Sequence, residues 1–297
     1  MKTLITGAYG LLGNRVVGHF AQNPAYKITG LVRKEVLENN IEGVKYVSVD
    51  LTDTNALNKL LKSLRPDLII HCAANVNLAD CEINRKYTFD LHVSATKTLS
   101  ASFGLKKFIY ISTDSVFDGK VGDYYENSFT NPLNYYAKTK LAGEKVALEQ
   151  FKQTVVMRTN IYGLNYQLKN SLAEWALKNL TAGNEINGFK DVIFNPVSTH
   201  QLSNAIKKIA ETPYTGIINI GSDSYISKFQ FLSMLALESG ENIELVKPSK
   251  SESMHSTLQR PLNTTLNTTN FENCFGTIYS INEGIKVLID EFKIIRE

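Results

Sequence analysis

Tyr136 and Lys140 stand four residues apart in the run Tyr-Tyr-Ala-Lys-Thr-Lys (135–140), a spacing that puts two side chains on one face of a helix. A phenol beside an ammonium is a proton donor whose conjugate base the cation can stabilise. Free tyrosine ionises near pH ~10, so bringing it close to neutrality takes about 4 kcal/mol of preferential stabilisation. A neighbouring cation in a partly buried site can supply much of that. The spacing also fits an ordinary amphipathic helix, so the pair gains meaning only if the rest of the chain calls for acid–base chemistry.

Residues 1–13, Met-Lys-Thr-Leu-Ile-Thr-Gly-Ala-Tyr-Gly-Leu-Leu-Gly, do so. An apolar strand runs directly into glycines at 7, 10 and 13. Gly7 permits a tight strand-to-helix turn, Gly10 a close approach of backbone to a pyrophosphate, and Gly13 close packing of the new helix on the sheet. The spacing is Gly-x-x-Gly-x-x-Gly, not the Gly-x-Gly-x-x-Gly of the general dinucleotide fingerprint. Its context is nonetheless the required one: a helix is predicted over Asn14–Ala21 and a second strand over Lys27–Val32. Gly7, Tyr9, Gly10, Leu11, Leu12 and Gly13 are therefore candidate cofactor contacts.

The residue about twenty positions beyond such a loop reads the adenosine ribose. Here it is Arg33, followed by Lys34. An acid would bond a free 2′-hydroxyl, whereas a base accommodates a 2′-phosphate, so NADPH is favoured and NADH stays open. Two solvated cations closing a strand would look the same in sequence.

The chain of 297 residues can hold one large α/β domain or a domain with a smaller lobe. It is 43% hydrophobic and 21% charged, with a net charge of +3, which gives no bulk attraction to nucleic acid or membrane. No apolar leader or membrane-spanning stretch is visible, so a cytoplasmic location is expected. Cys72, Cys81 and Cys274 lack metal spacing and read as reduced thiols, and the five histidines suggest no metal site. His71, between Ile70 and Cys72, reads as a hydrogen-bonded core residue.

Strands are predicted at Thr3–Thr6, Ile28–Val32, Val44–Ser48, Leu68–Cys72, Phe108–Ser112 and Val155–Met157. Their near-continuous apolar character fits parallel strands covered on both faces. Helices are predicted between them at Asn14–Ala21, Thr54–Ser63, Glu82–Phe103 and Tyr136–Gln150. This alternation predicts an α/β fold with a doubly wound parallel sheet of the Rossmann type. Ligands of such sheets bind beyond the carboxyl ends of the strands. Those ends carry Gly7, Arg33, Asp50 with Leu51, Ala73-Ala74-Asn75, and Ser112-Thr113-Asp114, all small or polar.

Past residue 160 the pattern loosens. Helices are expected at Ser171–Thr181, Gln201–Glu211, Lys228–Ser239 and Ile281–Lys293, strands at Val192–Phe194 and Gly216–Ile220, and an exposed loop at 249–256. The expected division is a cofactor-binding domain over 1–160 and a mainly substrate-binding lobe over 161–297, with some later elements returning to the sheet.

Four stretches carry a family likeness: Ser112-Thr-Asp-Ser-Val-Phe-Asp-Gly119, Tyr136-Ala-Lys-Thr-Lys140-Leu-Ala-Gly-Glu144, Arg158-Thr-Asn-Ile-Tyr-Gly163, and Arg260-Pro-Leu-Asn263 with Leu266. Together they resemble the extended short-chain dehydrogenase/reductase family, most closely its dTDP-4-dehydrorhamnose reductase branch, over essentially the whole chain. The resemblance implies a catalytic triad of Thr113, Tyr136 and Lys140. Tyr136 would protonate a carbonyl oxygen that Thr113 also holds, while Lys140 would contact the nicotinamide ribose and lower the phenol pKa. Tyr135 has Thr139, not a lysine, four residues on. The resemblance implies an NADPH-dependent reductase of a 4-keto-6-deoxy sugar nucleotide, with Asp114, Val116, Asn160, Tyr162, Trp175 and Arg260 as candidate substrate contacts and a homodimer left open.

Two residues depart from the family pattern: His92 where Asn is usual, and Ala137 where Gly is frequent. A 4,6-dehydratase of this fold would carry Glu where Ser115 stands. Sugar-nucleotide epimerases reuse the Tyr/Lys pair with NAD, which Arg33 and the Val-Phe-Asp-Gly run disfavour. The regulatory subunit of methionine adenosyltransferase resembles the same branch, which makes a non-catalytic binding role the alternative of another class.

Overall fold

The computed structural model describes residues 1–34, 41–165, 171–253 and 258–296. Six strands, β1 (Lys2–Thr6), β2 (Lys27–Val32), β3 (Lys45–Ser48), β4 (Leu68–His71), β5 (Lys107–Ile111) and β6 (Thr154–Thr159), join Gly216–Ile220 in one parallel sheet. Its order is Gly216–Ile220, β6, β5, β4, β1, β2, β3, so the chain reverses direction across the sheet between β1 and β4. Such a reversal opens a crevice at the strand ends.

Side chains alternate across each strand, and the apolar run of every central strand feeds two cores. Ile5, Ile70, Ile109, Val155 and Ile218 face helices Leu11–Ala21 and Thr199–Ala210. Leu4, Ile69, Phe108, Tyr110 and Val156 face Thr54–Leu64, Ala95–Ser100 and Tyr135–Gln150. Both faces are thereby buried, which is why these strands read as continuous apolar runs rather than alternating ones.

A separate core forms from Tyr162, Leu177, Phe194, Phe231, Leu235, Ile285 and Leu288. It knits helices Leu172–Thr181, Lys228–Ser239 and Ile281–Arg296. Ser171 and Ser227 start the first two through reciprocal capping boxes with Glu174 and Gln230. Thr199–Ala210 and Gly216–Ile220, from the same half of the chain, pack into the main sheet instead.

The predicted helix Glu82–Phe103 is not continuous. Leu78–Ile83 stops at Asn84, Arg85–Phe89 follows, Asp90–Ser94 forms a π-helical turn, and Ala95–Ser100 resumes α geometry. Asn84 breaks the first segment because its backbone leaves the α region (φ −100°, ψ 53°). Ser and Thr hydroxyls then compete for helical carbonyls: Thr96 bonds His92 O, Thr98 bonds Ser94 O and Ser100 bonds Thr96 O. The predicted loop at 249–256 is also modified: Val246–Ser249 is a strand pairing with Ile186–Phe189, Ser251–Ser253 is a 3-10 turn, and 254–257 lie outside the described residues. Among the described residues no helix is long and apolar enough to cross a membrane, and no cluster of His, Cys, Asp or Glu could hold a metal ion.

Candidate active site

The glycine loop sits at the β1/β4 reversal. Gly7 has φ 65°, and a Cβ there would stand 3.0 Å from the backbone of Ala73 at the end of β4. A Cβ on Gly13 would come within 2.0 Å of the Gly7 carbonyl. Both positions exclude side chains and leave backbone alone facing the crevice. Helices Thr54–Leu64, Tyr135–Gln150 and Thr199–Ala210 are each capped by their own Asp53, Asn134 and Ser198 side chains. Leu11–Ala21 has no side-chain cap, so its first N–H groups are free to bind an anion. These features fit a dinucleotide pyrophosphate.

The remaining predicted cofactor contacts surround this loop. Tyr9 stacks on Tyr46 at 5.2 Å. Ala73 N–H donates to Thr6 Oγ1 at 3.1 Å, which fixes the β4 exit beside β1, and Ala74 follows half-buried. Arg33, at the end of β2, donates to the Tyr87 hydroxyl at 3.1 Å and is otherwise exposed. Asp50 accepts from Thr52 N and Oγ1 in a tight turn. Leu12 and Leu51 bury their side chains in the two sheet cores, so only their backbones remain for a ligand. Leu11 is half-buried.

Asn134 caps the helix that presents the Tyr/Lys pair, accepting from Ala137 N at 3.0 Å. The Tyr135 ring is taken by the Arg85 guanidinium, 5.0 Å from its centroid, which removes it from the site. Tyr136 faces Thr113, Asp114 and Cys81. Burial raises its pKa, the neighbouring Thr113 hydroxyl acts in the opposite direction, and Asp114 and Cys81 raise it further. The expectation that Lys140 lowers the phenol pKa is therefore not met by the protein alone. Lys140 directs its ammonium at the Ile111 carbonyl (2.6 Å) and over the Tyr110 ring (4.1 Å). Desolvation brings Lys140 down to about 7, against the pull of Glu144. Thr113 caps the turn Asp114–Val116 by accepting from Ser115 N at 3.2 Å, and donates to Asp114 Oδ1 at 3.1 Å. A buried phenol, a threonine hydroxyl and a lysine ammonium thus share one strand end.

A cleft of about 940 Å³ opens beside this cluster. Asp114, Asn160, Trp175 and Arg260, four of the six candidate substrate contacts, line it. Asp114 is 2% exposed yet fully hydrogen-bonded, accepting from Asn160 Nδ2 (2.7 Å), Thr264 Oγ1 (2.5 Å), Thr113 and Ser115. Two predicted contacts are absent from its walls. Tyr162 is buried in the second-half core, stacked edge-on to Phe231 with its hydroxyl on Ile281 O. Val116 is sealed in a small cluster with Phe117, Tyr124 and Leu266. Both belong to apolar runs whose packing direction the sequence pattern does not fix.

Lys228 was not legible as a site residue. It lines the cleft, with its ammonium 3.3 Å from the centroid of the Phe194 ring. Desolvation lowers its pKa to about 7, with Asp114 raising it and Arg260 lowering it. Its signal was a lysine in the first turn of a helix, which runs against the helix dipole.

The sheet order and the strand-end cluster together define an extended short-chain dehydrogenase/reductase fold. The chain belongs to the RmlD substrate binding domain family, whose model matches residues 1–294. It is 26% identical over 282 residues to a probable low-salt glycan biosynthesis reductase of Haloferax volcanii, covering 93% of each chain. It is 37% identical over 174 residues to methionine adenosyltransferase 2 subunit beta of Bos taurus, 57% of this chain and 50% of that protein. The chain thus spans only about half the length of that relative. A dTDP-4-dehydrorhamnose reductase structure from Clostridium acetobutylicum superposes with a TM-score of 0.84 at 24% identity, covering 99% of this chain and 100% of the other. One from Bacillus anthracis, in complex with NADP, gives 0.83 at 24% identity, covering 98% and 99%. The family expected from the four motif stretches is the family found.

Proposed function

We propose that the protein is an NADPH-dependent reductase of a nucleoside-diphosphate 4-keto-6-deoxy sugar. The observation that carries this reading is the convergence of Thr113, Tyr136 and Lys140 between an anion-accepting glycine loop and a large polar-floored cleft. The family relationship and the NADP-bound relative support it.

Gly7, Gly10, Gly13 and the open helix start would hold the cofactor pyrophosphate, and Arg33 its 2′-phosphate. The chemistry such a cofactor supplies when bound is hydride donation to a ketone carbon. As negative charge develops on the carbonyl oxygen, the Thr113 hydroxyl turns from Asp114 to hold it, and Tyr136 delivers its proton. A phenol pKa raised by burial keeps Tyr136 protonated at neutral pH, the form that a reduction needs. Lys140, fixed by Ile111, would bond the ribose and stabilise the phenolate left behind. Asn160 and Thr264 hold Asp114 in place, and Lys228 and Arg260 supply positive charge for the diphosphate.

The test is a panel of nucleoside-diphosphate 4-ketosugars, following loss of NADPH absorbance and identifying the product. Consumption with at least one 4-ketosugar is expected. No consumption with any of them, together with stable co-purification of a methionine adenosyltransferase catalytic subunit, would favour the second reading, a regulatory subunit, to which the 37% identity over 174 residues points.

A further inference from the structure

His92 stands at the centre of the π-helical turn Asp90–Ser94. It is 1% exposed, and both ring nitrogens are engaged. Nε2 lies 2.9 Å from the backbone N of Asn75, in the loop leaving β4. Nδ1 lies 2.8 Å from Thr139 Oγ1, in the helix that carries Tyr136 and Lys140. We infer that His92 is a positioning residue, a two-ended clamp that ties the strand-end loop at Asn75 to the catalytic helix and sets the Tyr136 ring.

A backbone N–H can only donate, so Nε2 must present its lone pair, and the ring proton must sit on Nδ1. Nδ1–H then donates to Thr139 Oγ1. The Thr139 hydroxyl in turn donates to the carbonyl of Tyr136 (2.9 Å) or Tyr135 (3.0 Å). The result is a one-way chain of donors from Asn75 through His92 and Thr139 to the backbone of the catalytic tyrosine. The same ring meets the Tyr136 ring edge-on, centroids 5.9 Å apart and planes at 80°. An Asn side chain also offers one acceptor and one donor, but both diverge from a single carbon. An imidazole carries them on opposite edges of a rigid ring and can span two separate elements.

The π turn makes this reach available, because an extra residue in the helical register re-aims the side chain at its centre. A second proton would turn Nε2 into a donor facing another donor and break the clamp. Burial, Lys140 and His71 all act against that proton and hold the imidazole pKa down to about 2, which preserves the chain at working pH. Asn75 is additionally held by its own side chain on Asp80 (2.5 Å), so the clamp acts on a loop that is already ordered.

The kinetic part of this inference rests on the reductase reading, whereas the structural part does not. In ¹⁵N-histidine spectra of the full chain, His92 is expected as the neutral Nδ1–H tautomer throughout about pH 5 to 9. His92→Phe, which keeps a ring but removes both nitrogens, is expected to speed amide exchange at Asn75 about tenfold or more while the ends of β1 and β5 stay unchanged. With an active substrate, kcat should fall about tenfold with KM within about twofold, and His92→Gln, with one acceptor and one donor on a longer stem, should recover part of it. An Nε2–H tautomer, unchanged exchange at Asn75, or wild-type kcat in a folded His92→Phe protein would overturn the clamp. If His92→Phe does not fold, the tautomer and the exchange of His92→Gln decide. Should the wild type reduce no ketosugar, the reductase reading fails while tautomer and exchange still judge the clamp.

Discussion

Arg158 grips Glu144 through two nitrogens, Nη2 to Oε2 at 2.7 Å and Nε to Oε1 at 3.1 Å, in a pair only 3% and 1% exposed. Glu144 also accepts from Ser112 Oγ, and Arg158 donates to Glu126 O at 3.0 Å and lies over the Phe117 ring. The pair bolts helix Tyr135–Gln150 to β6, and its Ser112 bond reaches the residue before Thr113. Removing one partner strands a buried charge, so Glu144→Gln is expected to destabilise the fold by about 3–5 kcal/mol. Glu144→Gln/Arg158→Met should recover a good part, because a neutral pair leaves no orphan charge. Denaturant midpoints of the three proteins check this; a Glu144→Gln midpoint equal to wild type would show that the pair is solvated in solution.

Tyr136→Phe keeps the ring edge against His92 and removes only the hydroxyl. Turnover of a ketosugar nucleotide should fall by at least about two orders of magnitude, the usual worth of a general acid. NADPH affinity, measured by fluorescence titration, should stay within about twofold, because the proposed role of the phenol is exercised in the transition state. Near-wild-type turnover would remove Tyr136 from its role.

Arg33 meets Tyr87 through one nitrogen and is otherwise open at the end of β2. Arg33→Asp places an acid where a 2′-phosphate would sit and a 2′-hydroxyl could bond. The ratio of kcat/KM for NADPH over NADH should drop about a hundredfold, consistent with loss of one charge-assisted contact and gain of a repulsion. An unchanged ratio would count against the 2′-phosphate contact.

Lys140 is 3% exposed, and its pKa falls from 10.5 to about 7 through desolvation. The unfolded chain therefore binds more protons than the folded one between about pH 7 and 10, and stability from this group rises with pH across that window. Below pH 7 both states are charged and the burial cost is largest. Lys140→Met should abolish turnover yet raise the melting temperature at pH 7, with the gain shrinking toward pH 10. A gain that does not vary with pH would show that Lys140 is not desolvated.

The sheet was legible because each central strand is buried on both faces and announces itself as an apolar run, as in Leu68–Ile70 and Phe108–Ile111. Gly7 and Gly13 were legible because a side chain there would collide with backbone. The segmentation of 82–103 was not. It arises from Asn84 leaving the helical region and from hydroxyls competing for carbonyls, local events that apolar periodicity does not register. Tyr162 and Val116 failed differently: their motif neighbours Asn160 and Asp114 line the cleft, while a shift of two residues turns a side chain into a core. Lys228 was hidden because the cleft wall it completes is assembled from segments far apart in sequence.

Lys228 supplies the last test, because two roles are separable there. As a phosphate contact, it acts on the substrate; as a counter-charge for Asp114, it acts on the fold. Lys228→Met preserves the stem against Phe194 and removes the ammonium. The substrate role predicts a KM for the nucleotide sugar raised about tenfold, worth about 1.4 kcal/mol, with kcat and NADPH affinity kept. The counter-charge role predicts instead an unchanged KM and a lower melting temperature, since Asp114 would keep its four hydrogen bonds but lose the nearby positive charge. Loss of affinity for the free nucleoside diphosphate in calorimetry, in parallel with the rise in KM, would assign the contact to the phosphates rather than to the sugar ring.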